Sequence, residues 1–126
     1  MKVQISNATD SQIDYLVAKL TNPEWSEDDV RWNTFDYSDS GGLEDVPYSP
    51  TSDPVQAHAI IHAKGIGTHA YLDRAERGMS WRAVSFDSRV TAYGQTLFTA
   101  AMRCFLISEL GEEAEIPAGV FVLMTA

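Results

Sequence analysis

The sequence has little of what marks secreted, membrane-spanning or nucleic-acid-binding proteins. Its 126 residues include one cysteine, Cys104, so no disulfide can form within the chain. It shows no charged leader followed by an apolar segment, and no run of about 18 apolar residues. Nine basic residues stand against 18 acidic ones, and the net charge of -9 repels nucleic acid polymers. We expect an intracellular protein that binds no membrane and no nucleic acid polymer.

Two segments carry the strongest helical patterns. In the first, Thr9 is an N-cap that Gln12 completes as a capping box, and apolar residues follow at helical spacing to Leu20. In the second, a broad apolar face begins after the possible cap Thr96, and Gly111 stands just past its end. These segments are predicted to be the two main helices.

Residues 21–53 are rich in acidic side chains and show no sustained periodicity, which predicts a long acidic loop. The stretch SEDDVRW is compatible with one or two helical turns, and aromatic residues such as Trp25 and Tyr48 are available to pin the loop. The loop ends at Asp53, a good N-cap for a short helix over Pro54–Lys64 that a glycine then stops.

Beyond this helix, three segments rich in aromatic and β-branched residues alternate with turn signals, and they read IGTHAYL, WRAVSF and RVTAY. They predict three antiparallel strands. The elements together indicate a single α+β domain over residues 1–126, with a small antiparallel sheet of about three strands packed in two layers against two main helices. An uninterrupted apolar run, Val120–Met124, predicts an edge strand or a contact with another subunit.

Three stretches resemble the NinX family of small phage proteins, which are carried in accessory regions of tailed-phage genomes. They are YSPTSD at residues 48–53, WRA at residues 81–83 and, most specifically, YGQTLFTAAMRCFLISELGEEAEIP at residues 93–117. After its serine-proline loop the family tends to show a tryptophan and Gly-Gly-Pro, where this chain has PVQAHA at residues 54–59. The resemblance implies a phage protein in the host cell cytoplasm and a shared fold, and it carries no site residue across.

The residues best suited to bind a small anion lie where the second main helix begins. Gly94 would let a ligand approach the backbone beside the unpaired N–H groups of the helix, and Thr96 would add a hydroxyl. Arg82 or Arg103 would supply positive charge, and aromatic side chains would stack on a base. These residue types suit a nucleotide-like ligand; the alternative is a capped helix with surface arginines. The predicted ligand-binding residues are Tyr48, Ser49, Trp81, Arg82, Gly94, Thr96 and Arg103.

Three histidines are the candidates for a metal site. His58 and His62 are four residues apart and share a face of the short helix, and His69 follows on the next strand. The alternative is surface or packed histidines, because Ala59 stands where a zinc protease has its glutamate and no second cysteine is present. We expect no metal and no cofactor, and keep a regulatory phage protein with a histidine metal site as an alternative.

The sequence has no recognisable catalytic signature. No serine lies in a nucleophile elbow, and the glycines of KGIGTH lack the spacing of a phosphate-binding loop. The order helix, three strands, helix is similar to that of a double-stranded-RNA-binding domain, but the last helix begins GQTLFTAAMR, without the lysines that hold phosphates. We therefore expect neither an enzyme nor an RNA-binding protein.

Two non-enzymatic functions remain for a phage accessory protein of this size. One is counter-defence, in which the protein binds and sequesters a small nucleotide-derived ligand. The other is an acidic protein-binding module that masks or inhibits a host protein through its negative surface. The apolar tail and surplus aromatic residues are compatible with a homodimer in either case.

Overall fold

The computed structural model describes residues 1–34, 48–75 and 78–117, and it confirms a mixed α+β fold. The elements are β1 (Lys2–Gln4), a 3-10 turn (Ile5–Asn7), α1 (Asp10–Thr21), α2 (Glu27–Thr34), α3 (Pro54–Lys64), β2 (Gly67–Asp73), β3 (Gly78–Val84), β4 (Thr91–Gly94), α4 (Leu97–Leu110) and β5 (Glu113–Glu115). In the described residues, none of the helices combines the length and the apolar composition needed to cross a membrane.

The predicted helix ends are confirmed by their capping geometry. At the start of α1, Gln12 N donates to Thr9 Oγ1 at 3.3 Å and Thr9 N donates to Gln12 Oε1 at 3.0 Å, which completes a capping box. At the start of α3, Asp53 Oδ1 accepts from Gln56 N at 3.2 Å. Gly65 then ends α3 with φ of 64°, a left-handed conformation that favours glycine.

Two antiparallel sheets are present among the described residues. The larger has the order β2-β3-β4 and matches the three predicted strands. In it Ala83 and Ala92 lie opposite each other and are buried, and β3 and β4 both contact α4. The smaller sheet pairs β1 with β5, with Val3 opposite Ala114, and β5 was not predicted. Strands of three residues are too short to show a period in the sequence.

The core is formed mainly by the apolar faces of α1 and α4. Cys104 is fully buried in this core, and burial raises the pKa of its thiol because the thiolate would lose its solvation. The largest fully buried side chains include Ile5, Ile13, Tyr15, Val17, Met102, Cys104 and Leu106.

The segment predicted as an acidic loop contains α2 in its described part. The helix begins after Ser26, whose Oγ accepts from Asp29 N at 3.1 Å while Asp29 Oδ2 accepts from Ser26 N at 3.1 Å. The rings of Trp25 and Tyr48 meet edge to face with centroids 5.9 Å apart, so aromatic side chains do pin this segment. Residues 35–47 and the apolar run at residues 120–124 lie outside the described residues.

Candidate functional site

A polar cleft of about 560 Å³ opens where α1 and α4 both begin. Its walls come from the 3-10 turn, the first residues of α1, the ends of the three strands of the larger sheet, and the first turn of α4. The volume is that of a site for a small molecule. Of the predicted ligand-binding residues, Gly94, Thr96 and Arg103 line this cleft.

A chain of hydroxyl groups joins the N-termini of the two helices. Thr96 Oγ1 caps α4 by accepting from Thr99 N at 3.1 Å, and it donates to Thr99 Oγ1 at 3.0 Å. Thr99 Oγ1 donates in turn to the Asp10 carboxylate in the first turn of α1, at 2.9 Å. The carboxylate lies at the positive end of a helix dipole, where negative charge is favoured. The cap predicted at Thr96 is therefore confirmed, and its hydroxyl is already engaged within the protein.

Arg103 connects β4 to the chain segment that precedes α1. Its Nη1 donates to Tyr93 O at 2.7 Å, and its Nη2 donates to Ala8 O at 2.8 Å. Its Nε is buried and finds no hydrogen-bond partner among the described residues. Burial lowers the pKa of Arg103, and the neighbouring Asp10 carboxylate opposes that shift. The guanidinium is therefore first a structural tie between β4 and the chain segment before α1, and second a positive group at the cleft.

Gly94 is required for packing. A Cβ at this position would lie 2.7 Å from Ala100 N, closer than real Cβ contacts allow, and a tight 3.2 Å from Ala100 Cα. The missing side chain therefore lets the end of β4 approach the backbone of α4. This space was predicted to hold a ligand, whereas in the structure α4 occupies it.

Gly94→Ala is expected to lower the free energy of unfolding by about 1–3 kcal/mol, because the backbone that blocks the methyl group cannot rotate away. The matched control is Gly67→Ala, whose Cβ would have its nearest neighbour, His69 Nε2, at 3.7 Å. Urea unfolding followed by circular dichroism measures both variants. Equal stability of the two would contradict the packing role of Gly94.

An aromatic and acidic wall completes the cleft. The rings of Tyr71 and Tyr93 meet edge to face with centroids 5.9 Å apart, and 51% of the surface of Tyr93 is exposed. Asp10 and Asp73 add two carboxylates to the lining. None of these four residues was predicted to line a site. Only the adjacency of Tyr93 to Gly94 signalled one of them, because the others reach the cleft through strand register and helix packing.

Four predicted ligand-binding residues do not line the cleft. Tyr48 Oη lies 2.7 Å from Thr21 Oγ1, and Tyr48 N donates to Asn33 O at 2.9 Å, so this tyrosine holds its own loop in place. Trp81 is half-buried against the core, and Arg82 is exposed in β3. Ser49 belongs to a separate cluster around Asp14.

The YSPTSD segment folds around one buried carboxylate. Asp14 on α1 is 8% exposed, and it accepts from Thr51 N at 2.9 Å, from Thr51 Oγ1 at 2.9 Å and from Ser49 Oγ at 3.2 Å. Burial raises the pKa of Asp14 to about 6, although the three donors oppose the shift. Ser49 N also donates to Gln56 Oε1 at 2.6 Å. Through these contacts the YSPTSD segment connects α1 to α3, and we call this arrangement the Asp14 clasp.

The two histidines of α3 lie side by side at the surface. The rings of His58 and His62 are stacked with centroids 6.1 Å apart, and both side chains are exposed. Within residues 1–34, 48–75 and 78–117, no three His, Cys, Asp or Glu side chains come together as a metal-binding group.

The profile of the family described as "Bacteriophage P22, NinX" matches residues 4–109 of the chain. The matched range includes most of the residues that form the cleft and the whole of the Asp14 clasp. No curated protein matches the sequence.

Proposed function

Because the chain belongs to the bacteriophage P22 NinX family, we propose that it is a non-enzymatic phage accessory protein that sequesters a small nucleotide-derived ligand in the host cytoplasm. Counter-defence is the function that such capture would serve. The observation that carries the proposal is the cleft between the N-termini of α1 and α4, which combines aromatic surface with hydrogen-bonding groups. A base would lie against Tyr93, and sugar hydroxyls would donate to the carboxylates of Asp10 and Asp73.

The charges around the cleft favour a ligand with at most one phosphate. The two helix N-termini contribute about half a positive charge each, and Arg103 contributes one. The carboxylates of Asp10 and Asp73 offset this sum, so the lining is close to neutral once the partial charges of the helix ends are counted with its ionised side chains. The net charge of -9 on the whole chain adds a repulsive field for polyphosphates. A nucleoside or a nucleoside monophosphate therefore fits better than a triphosphate.

Tyr93→Ala is expected to weaken nucleoside monophosphate binding by about tenfold or more, because a stacked base loses its aromatic support. Tyr93→Phe keeps the ring and is expected to bind nearly as well as the wild type. Phe86→Ala is the control, since Phe86 is 84% exposed and lies outside the cleft. Calorimetric titration with adenosine and guanosine monophosphates and triphosphates measures the affinities. Tighter binding of the triphosphates, or equal affinity of Tyr93→Ala and the wild type, would contradict the proposal.

The acidic surface supports the alternative function, masking of a host protein, less strongly. Two of the three acidic residues in the first turn of α2 are used within the chain. Glu27 pairs with Lys19 at 2.9 Å and accepts a hydrogen bond from the Tyr15 hydroxyl, and Asp29 caps its own helix. This alternative therefore rests on net charge, and a protein partner captured only at low salt would favour it.

A further inference from the structure

In the part of the chain that the structure describes, the outer edge of β2 is open. Among the described residues, β2 pairs with β3 on one side and no strand pairs with its other side. None of its seven residues is buried. In natural edge strands, lysine or proline commonly prevents pairing with another chain, and the sequence GTHAYLD contains neither residue. Alternate backbone N–H and C=O groups along this edge are therefore available to another strand.

An apolar patch lies beside this edge. Leu72 of β2 and Met79 of β3 are opposite each other in the sheet register, so their side chains are on the same face. Leu72 is 71% exposed and Met79 is 63% exposed. A strand added next to β2 would cover part of this patch.

When this edge pairs with itself, no like charges lie opposite each other. In an antiparallel pair of two β2 strands centred on Ala70, Thr68 lies opposite Leu72, His69 opposite Tyr71, and Gly67 opposite Asp73. The two Asp73 carboxylates are then at opposite ends of the pair, about 20 Å apart, so no like charges face each other. Two chains of net charge -9 repel each other, and this nearly neutral edge is a surface on which the repulsion is small.

We propose that β2 pairs antiparallel about Ala70 with β2 of a second copy of the chain, which joins two three-stranded sheets into one six-stranded sheet. The proposal is independent of the ligand. The paired strand would lie next to the cleft, because Tyr71 and Asp73 of β2 line the cleft. The partner's His69 would lie beside Tyr71 on the same face of the sheet.

Disulfide trapping tests both the partner and the register. Directly opposite residues in an antiparallel pair have Cα atoms about 4.5–5.5 Å apart, within the reach of a disulfide. Ala70→Cys is therefore expected to cross-link two copies under mild oxidation, in high yield. Leu72→Cys is the matched control, since two copies of residue 72 would be about 13 Å apart and would not cross-link. The native Cys104 is buried and does not compete.

A mixed sample of Thr68→Cys and Leu72→Cys chains is expected to cross-link as well, because these residues face each other in the proposed pair. Gel filtration with light scattering is expected to give the wild type a mass of twice 13.9 kDa. Ala70→Lys, which places two like charges opposite each other at an exposed position, is expected to raise the dimer dissociation constant at least tenfold while the circular dichroism spectrum stays native.

Two results would overturn the proposal. One is a wild type that remains monomeric at every concentration and gives no cross-link with Ala70→Cys. The other is a dimer in which Leu72→Cys cross-links and Ala70→Cys does not, which would assign the contact to a different register or surface. A folded, reduced Ala70→Cys variant shows that a missing cross-link does not come from misfolding.

Discussion

Relative to Asp14→Asn, the wild type is expected to gain about 2–3 kcal/mol in free energy of unfolding as the pH falls from about 7 to about 4. Asp14 is buried, and burial raises the pKa of its carboxyl from 3.8 to about 6. Between these values the folded chain holds a proton that the unfolded chain has released. Stability from this group is therefore complete below about pH 4 and is lost as the pH rises through about 6.

The asparagine variant isolates this effect. Of the chain's 18 acidic residues all except Asp14, together with the three histidines, are present in both proteins, so the comparison leaves only the difference made by residue 14. Asparagine keeps the shape of the side chain and one acceptor oxygen for Thr51 N, which donates to Asp14 at 2.9 Å in the wild type. Urea unfolding of both proteins at several pH values gives the difference directly. A difference that does not change with pH would mean that the donors from Thr51 and Ser49 hold Asp14 ionised in the folded state.

Replacing Arg103 by alanine is expected to lower the free energy of unfolding by about 3 kcal/mol or more. The guanidinium donates to Tyr93 O at 2.7 Å and to Ala8 O at 2.8 Å, and hydrogen bonds from a charged donor contribute about 1.5–3 kcal/mol each. Arg103→Lys is expected to recover less than half of the loss, because one ammonium cannot reproduce the planar fork that reaches two carbonyls.

Arg89→Ala is the matched control for Arg103→Ala. The Arg89 side chain is 86% exposed, and its Nε is 3.9 Å from Asp87 Oδ2, so its removal is expected to change stability by less than about 0.5 kcal/mol. Thermal and urea unfolding measure all three variants. Equal stability of Arg103→Ala and Arg89→Ala would show that the tie between β4 and Ala8 contributes nothing. The expected loss also makes Arg103 a poor position at which to test ligand binding alone.

Local signals predicted the secondary structure well. The caps at Thr9, Asp53 and Thr96 and the stop at Gly65 act within one turn of their helices, so the residues that specify them are adjacent in the sequence. The three strands of the larger sheet were found for a similar reason, because their turns and β-branched residues are local. The short sheet of β1 and β5 was not predicted, since its two strands are more than 100 residues apart in the sequence and are only three residues long.

The site was predicted less completely, because it depends on tertiary packing. Gly94, Thr96 and Arg103 were named from the start of α4, and they do line one cleft. Asp10 and Asp73 join them only because the N-terminus of α1 and the end of β2 meet there. Tyr48 and Ser49 were grouped with the ligand site by residue type, whereas their hydrogen bonds connect them to Thr21, Asp14 and Gln56. Residue types alone do not distinguish a ligand contact from an internal one.

The most direct test of ligand capture is to purify the protein from phage-infected cells, denature it, and identify released small molecules by mass spectrometry. Tyr93→Ala and Phe86→Ala are prepared in parallel from cells infected under the same conditions. If the cleft captures the ligand, the wild type and Phe86→Ala each release one nucleoside or nucleoside monophosphate per chain, and Tyr93→Ala releases little. Wild-type protein that releases neither a nucleoside nor a nucleotide, or release of the same molecule in equal amount from Tyr93→Ala, would contradict ligand capture in the cleft.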